Sequence, residues 1–306
     1  MMEEPIVIEN LTKDYGEGRG IFDINLTIKK GEMMGFVGTN GSGKTTTIRC
    51  LLGYLKPTSG DCYVLDKESW KDASLIAKRV GYVPGEIGFP DLPTGTAFLK
   101  SQAEFFGLKD LSYANDLVKK LQLDPRANLK RMSKGMKQKT ALVAALMNNA
   151  DVLILDEPTT GLDPLMRLAF LDIIKQEHKK GKTIFMSSHM FNEMEDTCDR
   201  VALINNGKII DIADMNEIRN RPVKDFKIEF NKKEEFEEFK KLDYKVIRVQ
   251  EQYNQLTISI NNDDVNKLFK DLKKYDIKFI SQVPFTLEKY FKEKLKEYKL
   301  KESKNV

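Results

Sequence analysis

The sequence predicts an α/β fold with a mostly parallel core sheet, followed by a small α+β domain of ferredoxin-like order. Three observations lead to this prediction. A glycine-rich segment, residues 38–45, lies between an apolar run and a helical pattern. A second apolar run, residues 152–155, ends in two adjacent carboxylates. After residue 221, the alternation of apolar and polar residues indicates a β-α-β-β-α-β order.

Length and composition indicate a globular protein. The 306 residues suffice for a full core and two domains, and 41% of them are hydrophobic. The 50 basic residues nearly balance the 46 acidic ones, so charge gives no reason to expect nucleic-acid binding. No run approaches the ~20 apolar residues of a membrane span. The acidic N-terminus is unlike a signal peptide, and three scattered cysteines favour a reducing cytoplasm.

The first strands alternate apolar and polar residues, as half-buried antiparallel strands do. They comprise residues 6–11, 23–28 and 61–65 and predict an antiparallel β-subdomain. Residues 33–37 are continuously apolar instead, which predicts a strand buried on both faces of a parallel sheet. Residues 46–52 can form the helix that follows the glycine-rich segment.

From about residue 87 to 150 the sequence becomes helical in character, which predicts a helical subdomain inserted into the core. Apolar residues recur at helical spacing over 97–106, 117–123 and 141–147. The core then resumes with a helix over 165–179, a buried strand over 183–189, and strands 201–204 and 208–211 around the hairpin turn Asn205-Asn206-Gly207.

The composition changes near Arg221, so we predict a first domain of residues 1–221 and an accessory domain of residues 222–306. The second is expected to contain strands 226–230, 244–250, 255–260 and 277–283, with helices 232–241 and 263–275. A last helix, 285–300, is rich in lysine. A solvated surface is the simpler interpretation of those lysines, and contact with anionic lipid headgroups is the alternative.

The glycine-rich segment has the spacing of a phosphate-binding loop, a Gly, four residues, then Gly-Lys-Ser/Thr. It consists of Gly38, Thr39, Asn40, Gly41, Ser42, Gly43, Lys44 and Thr45, with Thr46 next in the helix. Its glycines let successive amides converge on phosphate oxygens at a helix N-terminus. We expect Lys44 to bridge the β- and γ-phosphates of ATP and the Thr45 hydroxyl to bind Mg²⁺. A chance glycine-rich turn is the alternative.

The carboxylates at the end of the second apolar run are expected to do chemistry. An ionised Asp156 and Glu157 after a buried strand need a metal, a substrate or a strong donor nearby. Ligands of open α/β sheets bind at the carboxyl ends of the strands. We therefore expect Asp156 to hold Mg²⁺, directly or through water, and Glu157 to accept the proton of an attacking water.

One further motif makes a resemblance specific. Residues 132–139, Met-Ser-Lys-Gly-Met-Lys-Gln-Lys, lie between the phosphate loop and the carboxylates and resemble the Leu-Ser-Gly-Gly-Gln signature of ABC ATPases. The order of the other motifs also fits, over about residues 4–220. The chain is identified as an ABC transporter ATP-binding subunit with a P-loop ABC-type ATPase domain. The variant signature and residues 287–291, Leu-Glu-Lys-Tyr-Phe, resemble the ABC-2-type branch that includes multidrug and antimicrobial-peptide exporters.

The resemblance implies further roles. Ser133 and Gly135 would face the phosphate loop of a second copy, so that a head-to-tail dimer encloses two ATPs, although Ser133 alone would suggest an ordinary helix N-cap. His189 would contact the γ-phosphate, and Tyr15 would stack on adenine. The partner would be a separately encoded membrane permease, which places the protein in the cytoplasm, at the inner face of the membrane.

One departure from the family leaves two functions open. Gly85 follows Gly81-Tyr82-Val83-Pro84, where the family has a glutamine that reaches Mg²⁺ and faces the membrane partner. Either Glu86 approaches the metal or water completes its shell. The leading hypothesis is an ATPase that powers an exporter, and the alternative is a soluble regulatory ATPase with weak turnover. A DNA-repair role is disfavoured because the interval before Met132 is too short for a long coiled coil.

Overall fold

The computed structural model describes residues 3–303, which form two compact units. One unit consists of residues 3–215 together with 294–303, and the other of residues 216–293. The sequence predicted a domain boundary after residue 221. Whether the segment before it folds independently stays a prediction. None of the helices described here combines the length and the apolar character that crossing a membrane requires.

The first unit contains two sheets and a group of helices. Its strands are β1 (Ile6–Asp14), β2 (Gly20–Ile28), β3 (Met33–Val37), β4 (Ser59–Val64), β5 (Lys67–Glu68), β6 (Val80–Val83), β7 (Val152–Asp156), β8 (Thr183–Ser188), β9 (Arg200–Asn205) and β10 (Lys208–Asp214). Its helices are α1 (Lys44–Leu51), α2 (Ala73–Ala77), α3 (Gly95–Phe106), α4 (Ser112–Lys120), α5 (Lys134–Leu146), α6 (Pro164–Lys179) and α7 (Phe191–Thr197).

The smaller sheet of this unit has the order β2-β1-β4-β5 and is antiparallel, as the alternating sequence predicts. The larger sheet has the order β10-β9-β3-β8-β7-β6. Its strands are parallel except for β10, which pairs with β9 as the predicted hairpin. Strands β3, β7 and β8 are buried along their whole length, which explains their continuous apolar sequences.

The register of the large sheet brings the functional segments together. Val37 pairs with Ser188 on β8, and Asp156 at the end of β7 pairs with Ser187 on the other side of β8. The phosphate loop, the carboxylates and the segment after β8 therefore leave the same edge of the sheet. This edge is where the sequence predicts the site.

The predicted helical subdomain corresponds to α3, α4 and α5, with small corrections to their bounds. Helix α5 begins at Lys134 rather than near Ala141, because the Ser133 hydroxyl accepts a hydrogen bond from the Met136 amide at 3.2 Å and caps the helix. Helix α1 begins at Lys44 rather than Thr46. Strand β8 ends at Ser188, so His189 lies just beyond it.

The second unit confirms the ferredoxin-like order. It comprises strands β11 (Val223–Phe230), β12 (Lys245–Gln250), β13 (Gln255–Asn261) and β14 (Ile277–Val283), with helices α9 (Lys233–Phe239) and α10 (Val265–Leu272). The sheet is antiparallel in the order β12-β13-β11-β14. Its core includes Phe230, Phe236 and Phe239, each 1% exposed. Helix α8 (Met215–Arg219) precedes β11, and α11 (Leu287–Glu302) follows β14.

Candidate active site

The phosphate loop connects β3 to α1 in a shape that only glycines permit at two positions. Gly43, at the start of α1, has a φ of 111°, in the region that favours glycine. A Cβ on Gly38 would lie 2.3 Å from the Ile204 carbonyl oxygen, so any side chain there would clash. The buried Lys44 Nζ donates to the carbonyl oxygens of Gly38 at 2.8 Å and Thr39 at 3.1 Å. The backbone carbonyl groups of the loop therefore fix the position of the Lys44 side chain.

The hairpin turn between β9 and β10 supports this loop. The sequence did not predict this contact. The Gly207 amide donates to the Ser42 carbonyl at 2.9 Å, and the Gly207 carbonyl accepts from the Phe22 amide at 2.8 Å. A Cβ on Gly207 would lie 2.2 Å from the Gly20 carbonyl oxygen, so the turn packs tightly against β2. The Asn-Gly composition predicted the turn correctly but could not indicate its position against the loop.

Asp156 has the environment of a metal ligand. The residue is fully buried, and its Oδ1 accepts a hydrogen bond from Ser187 Oγ at 2.6 Å. Its Oδ2 has no hydrogen-bond partner among the residues that the structure describes. A buried carboxylate oxygen without a donor is costly unless a cation faces it. Mg²⁺ fits this donor, because it takes one or two carboxylate or hydroxyl oxygens together with phosphates and water.

Gly85 lies directly beside this carboxylate. A Cβ on Gly85 would come within 2.9 Å of Asp156 Oδ2, which is closer than ordinary packing allows. The missing glutamine is thus accompanied by a close approach of the backbone to Asp156 Oδ2, the oxygen predicted to bind the metal. Glu86, the residue considered above as a substitute ligand, has an exposed side chain. Its proposed contact with the metal stays a prediction.

Glu157 is held in a strained conformation with its carboxylate between two functional groups. Its φ of 48° is uncommon for a residue with a side chain. The Glu157 amide donates to Ser187, with the hydroxyl oxygen at 3.0 Å and the carbonyl oxygen at 3.2 Å. Its Oε1 lies 3.2 Å from Lys44 Nζ, and its Oε2 lies 2.6 Å from His189 Nδ1. Backbone strain of this kind is typical of functional sites.

One cavity of about 590 Å³ contains much of the predicted nucleotide site. The predicted residues that line it are Tyr15, Asn40, Gly41, Gly43, Lys44, Thr45, Thr46 and Glu157. Arg19 and Asn206 also line it, and neither residue belongs to a motif that would have predicted this position. The Tyr15 ring is 52% exposed, as an aromatic group offered to a ligand would be.

Ser133 and Gly135 do not line this cavity within the described part of the chain. Ser133 is exposed at the start of α5, and a Cβ on Gly135 would lie 2.9 Å from the Gly161 carbonyl oxygen. The start of α5 therefore packs against the loop that precedes α6. Gln138 strengthens this contact by donating to the Pro158 carbonyl at 2.8 Å.

Two groups near the phosphate loop have altered pKa values. Burial raises the pKa of the Cys50 thiol on α1 to about 11, although the positive charge of Lys13 opposes the change. The thiol is therefore protonated at neutral pH, as a packing residue should be. Burial, helped by the negative charge of Asp156, also raises the pKa of the Tyr82 hydroxyl. Neither group is suited to ionise during catalysis.

Comparison with known proteins agrees with this geometry. A family model described as ABC transporter matches residues 21–160. The bacitracin transport ATP-binding protein BcrA of Bacillus licheniformis is 34% identical, over 72% of this chain and 73% of its own length. The linearmycin resistance ATP-binding protein LnrL of Bacillus subtilis is also 34% identical, over 70% of each chain. A solved ATP-binding subunit of an ABC transporter superposes with a TM-score of 0.64 at 26% identity, covering 71% of this chain and 92% of its own.

Proposed function

This chain belongs to the ABC transporter family as an ATP-binding subunit and is an ATPase, and from that premise we propose how its residues divide the work. Two copies enclose two ATP molecules and drive a separately encoded membrane permease that exports its substrate. The observation that carries the proposal is the position of the Glu157 carboxylate between Lys44 and His189, with Lys44 and Glu157 lining the cavity.

Each side chain has a role that follows from its chemistry. The Lys44 cation meets the β- and γ-phosphate oxygens, and the loop amides bind the remaining phosphate oxygens. Glu157 accepts the proton of the attacking water, and His189 donates a hydrogen bond to the γ-phosphate. Thr45 and Asp156 would hold Mg²⁺, which would neutralise phosphate charge when bound. Tyr15 packs on the adenine ring.

The signature residues support the dimer. Ser133 and Gly135 start a helix, and helix N-termini attract phosphate, yet neither residue reaches the cavity of its own chain. A second copy in head-to-tail orientation would supply a γ-phosphate to this exposed N-terminus. Lys134 adds a positive charge at the same place.

The permease contact is proposed at an apolar groove in the first unit. This groove encloses about 280 Å³, and its lining includes Tyr54, Tyr82, Phe89, Phe98 and Phe105. Phe105 and Tyr54 are 50% and 54% exposed, so the groove offers apolar surface to a partner. The groove adjoins the segment after Pro84 that in the family faces the membrane subunit. Such a contact holds the protein at the inner face of the membrane. Export is proposed because BcrA and LnrL act in bacitracin transport and linearmycin resistance.

The decisive experiment is Glu157→Gln. The amide cannot accept a proton, so turnover should nearly disappear while ATP binding persists and an ATP-dependent dimer accumulates. Steady-state phosphate release and sedimentation velocity with and without ATP measure the two effects. Near-normal turnover, or a variant that stays monomeric at saturating ATP, contradicts the proposal.

The alternative, a regulatory ATPase with weak turnover, is favoured by one observation. Gly85 has no side chain to replace the family's glutamine, which in the family reaches both the metal and the membrane partner. Co-expression with a membrane protein encoded by a neighbouring gene discriminates between the two functions. A stable complex whose transport requires an intact Glu157 supports the exporter, and a subunit that never associates with a membrane protein supports the regulator.

A further inference from the structure

A buried carboxylate outside the predicted site, that of Glu193 on α7, connects the two catalytic segments. We propose that Glu193 is a positioning residue for hydrolysis, holding Glu157 and His189 at the separation that the reaction needs. The inference rests on the proposed function of those two residues. Glu193 is 2% exposed, and no sequence motif predicts a role for it.

Glu193 Oε2 accepts hydrogen bonds from two hydroxyl groups on different segments. Thr159 Oγ1 donates at 3.0 Å, and Ser188 Oγ donates at 3.0 Å. Thr159 stands two residues after Glu157, and Ser188 immediately precedes His189. One oxygen atom therefore links the loop that follows β7 to the end of β8.

The other oxygen of Glu193 faces a cation on a third segment. Arg167 Nε, in helix α6, lies 3.4 Å from Glu193 Oε1. A buried carboxylate needs such compensation, since burial without a partner costs several kcal/mol. This contact is an ion pair without a hydrogen bond, so the two hydroxyl groups supply the hydrogen bonds of the carboxylate. The cation and both hydroxyls come from separate elements, so the contacts of Glu193 depend on the placement of all three.

The catalytic groups complete a closed arrangement. Glu157 Oε2 and His189 Nδ1 belong to the two segments that Glu193 joins, and they are 2.6 Å apart. A shift of either segment would change this distance. Displacement of a reacting group by about 1 Å can reduce turnover by on the order of a hundredfold.

Glu177 provides a matched control. It is also a buried carboxylate, 1% exposed, and it pairs with Lys180 at 2.6 Å and Lys182 at 2.5 Å. Both lysines lie just beyond the end of α6 at Lys179. None of them is a predicted site residue, so the loss of Glu177 should affect stability and leave turnover unchanged.

The test compares Glu193→Gln, Glu193→Ala, Thr159→Val and Glu177→Gln in the full-length chain. Melting temperature, kcat and KM for ATP are measured for each, with Glu157→Gln as the inactive reference. We expect both Glu193 variants to lose roughly ten- to a hundredfold in kcat, with KM within about twofold of wild type. Glu177→Gln should melt earlier and keep its kcat.

Thr159→Val keeps the inference testable if Glu193→Ala fails to fold. Thr159→Val preserves shape and removes one hydroxyl, so it should lower kcat by less than Glu193→Gln does. Combined in one chain, Thr159→Val and Glu193→Ala should give little more than the effect of Glu193→Ala alone, because both remove the hydrogen bond from Thr159 to Glu193.

Two outcomes overturn the inference, and they are distinguishable. A kcat within about twofold of wild type in Glu193→Gln, while Glu157→Gln is inactive, removes the positioning role and leaves the proposed function standing. Normal turnover in Glu157→Gln removes the proposed function itself and this inference with it.

Discussion

Gly85→Ala should weaken the metal site without touching the nucleotide loop. The added Cβ would lie 2.9 Å from Asp156 Oδ2 and 3.2 Å from Asp156 Cγ. Asp156 cannot simply rotate away, because it is fully buried and its Oδ1 is bound by Ser187 at 2.6 Å. The carboxylate must therefore move by a few tenths of an ångström or the backbone at Gly85 must do so.

The size of the effect follows from the cost of overpacking. Forcing an extra methyl group into a packed site costs typically about 1–3 kcal/mol. If about 1.4 kcal/mol of this falls on Asp156 Oδ2, the proposed Mg²⁺ ligand, the affinity for the metal falls about tenfold. We therefore expect the Mg²⁺ concentration for half-maximal ATPase activity to rise about tenfold. ATP binding measured in the presence of a chelator should stay the same.

The assay has a matched control in the same segment. Gly88 has nothing within 4 Å of its Cβ position, and its φ lies outside the region that favours glycine. Gly88→Ala should therefore leave the Mg²⁺ dependence unchanged. Glu86→Ala is the third arm. If Glu86 is a metal ligand, its loss also raises the Mg²⁺ requirement, whereas a solvated Glu86 leaves it unaltered.

The result that refutes the reasoning is a Gly85→Ala protein with the Mg²⁺ dependence of wild type. In that case Asp156 either does not bind the metal or relaxes without loss. An equal rise in the Mg²⁺ requirement of Gly85→Ala and Gly88→Ala would also contradict the reasoning. The effect would then come from stiffening of the backbone and not from the contact with Asp156.

Three further predictions concern other parts of the chain. Lys44→Ala removes the cation beside the Gly38 and Thr39 carbonyls, so ATP affinity should fall at least about tenfold in an equilibrium titration; unchanged affinity would mean that the phosphate loop is misassigned. A chain ending at Arg221 should melt cooperatively and bind ATP, since every nucleotide motif precedes it; a folded fragment unable to bind ATP would refute the predicted boundary. For Glu177, burial alone would raise the pKa, but Lys180, Lys182 and Tyr113 together lower it below its usual value. Its charged form therefore stabilises the fold above about pH 4.3, the ordinary glutamate pKa, and this contribution is lost as the pH falls further. The melting temperature of Glu177→Gln should consequently vary less with pH across this range, and parallel curves would contradict the assignment.

Sequence patterns were informative wherever one local rule determined the structure. The continuous apolar runs of β3, β7 and β8 predicted buried parallel strands, and the alternation in β1, β2 and β4 predicted the antiparallel sheet. The ferredoxin-like order of the second unit followed in the same way. Helix bounds were less accurate. The start of α5 was missed because the Ser133 cap extends the helix beyond its apolar stripe.

Contacts between distant segments could not be predicted. The phosphate loop of residues 38–45 is an unbroken motif, but its support by Gly207 depends on how β9 returns beside β3. Glu193 lies on a short helix with no motif of its own, and only the fold brings it between Thr159 and Ser188. Arg19 and Asn206 reach the cavity for the same reason. In each case the role of the residue depends on a tertiary contact, and a single sequence does not show which distant segments meet.

One residue, Ser187, constrains both carboxylates of the site. A φ of 48° aims the Glu157 carboxylate at Lys44 and His189, and the Ser187 contacts that hold its amide also hold Asp156. Ser187 therefore fixes the proposed base and the proposed metal ligand relative to each other through a single hydroxyl. Because Gly85 closes the remaining side of Asp156, the carboxylate has little freedom left. We therefore expect this site to position Mg²⁺ without the glutamine, because the proposed ligand Asp156 has little room to move.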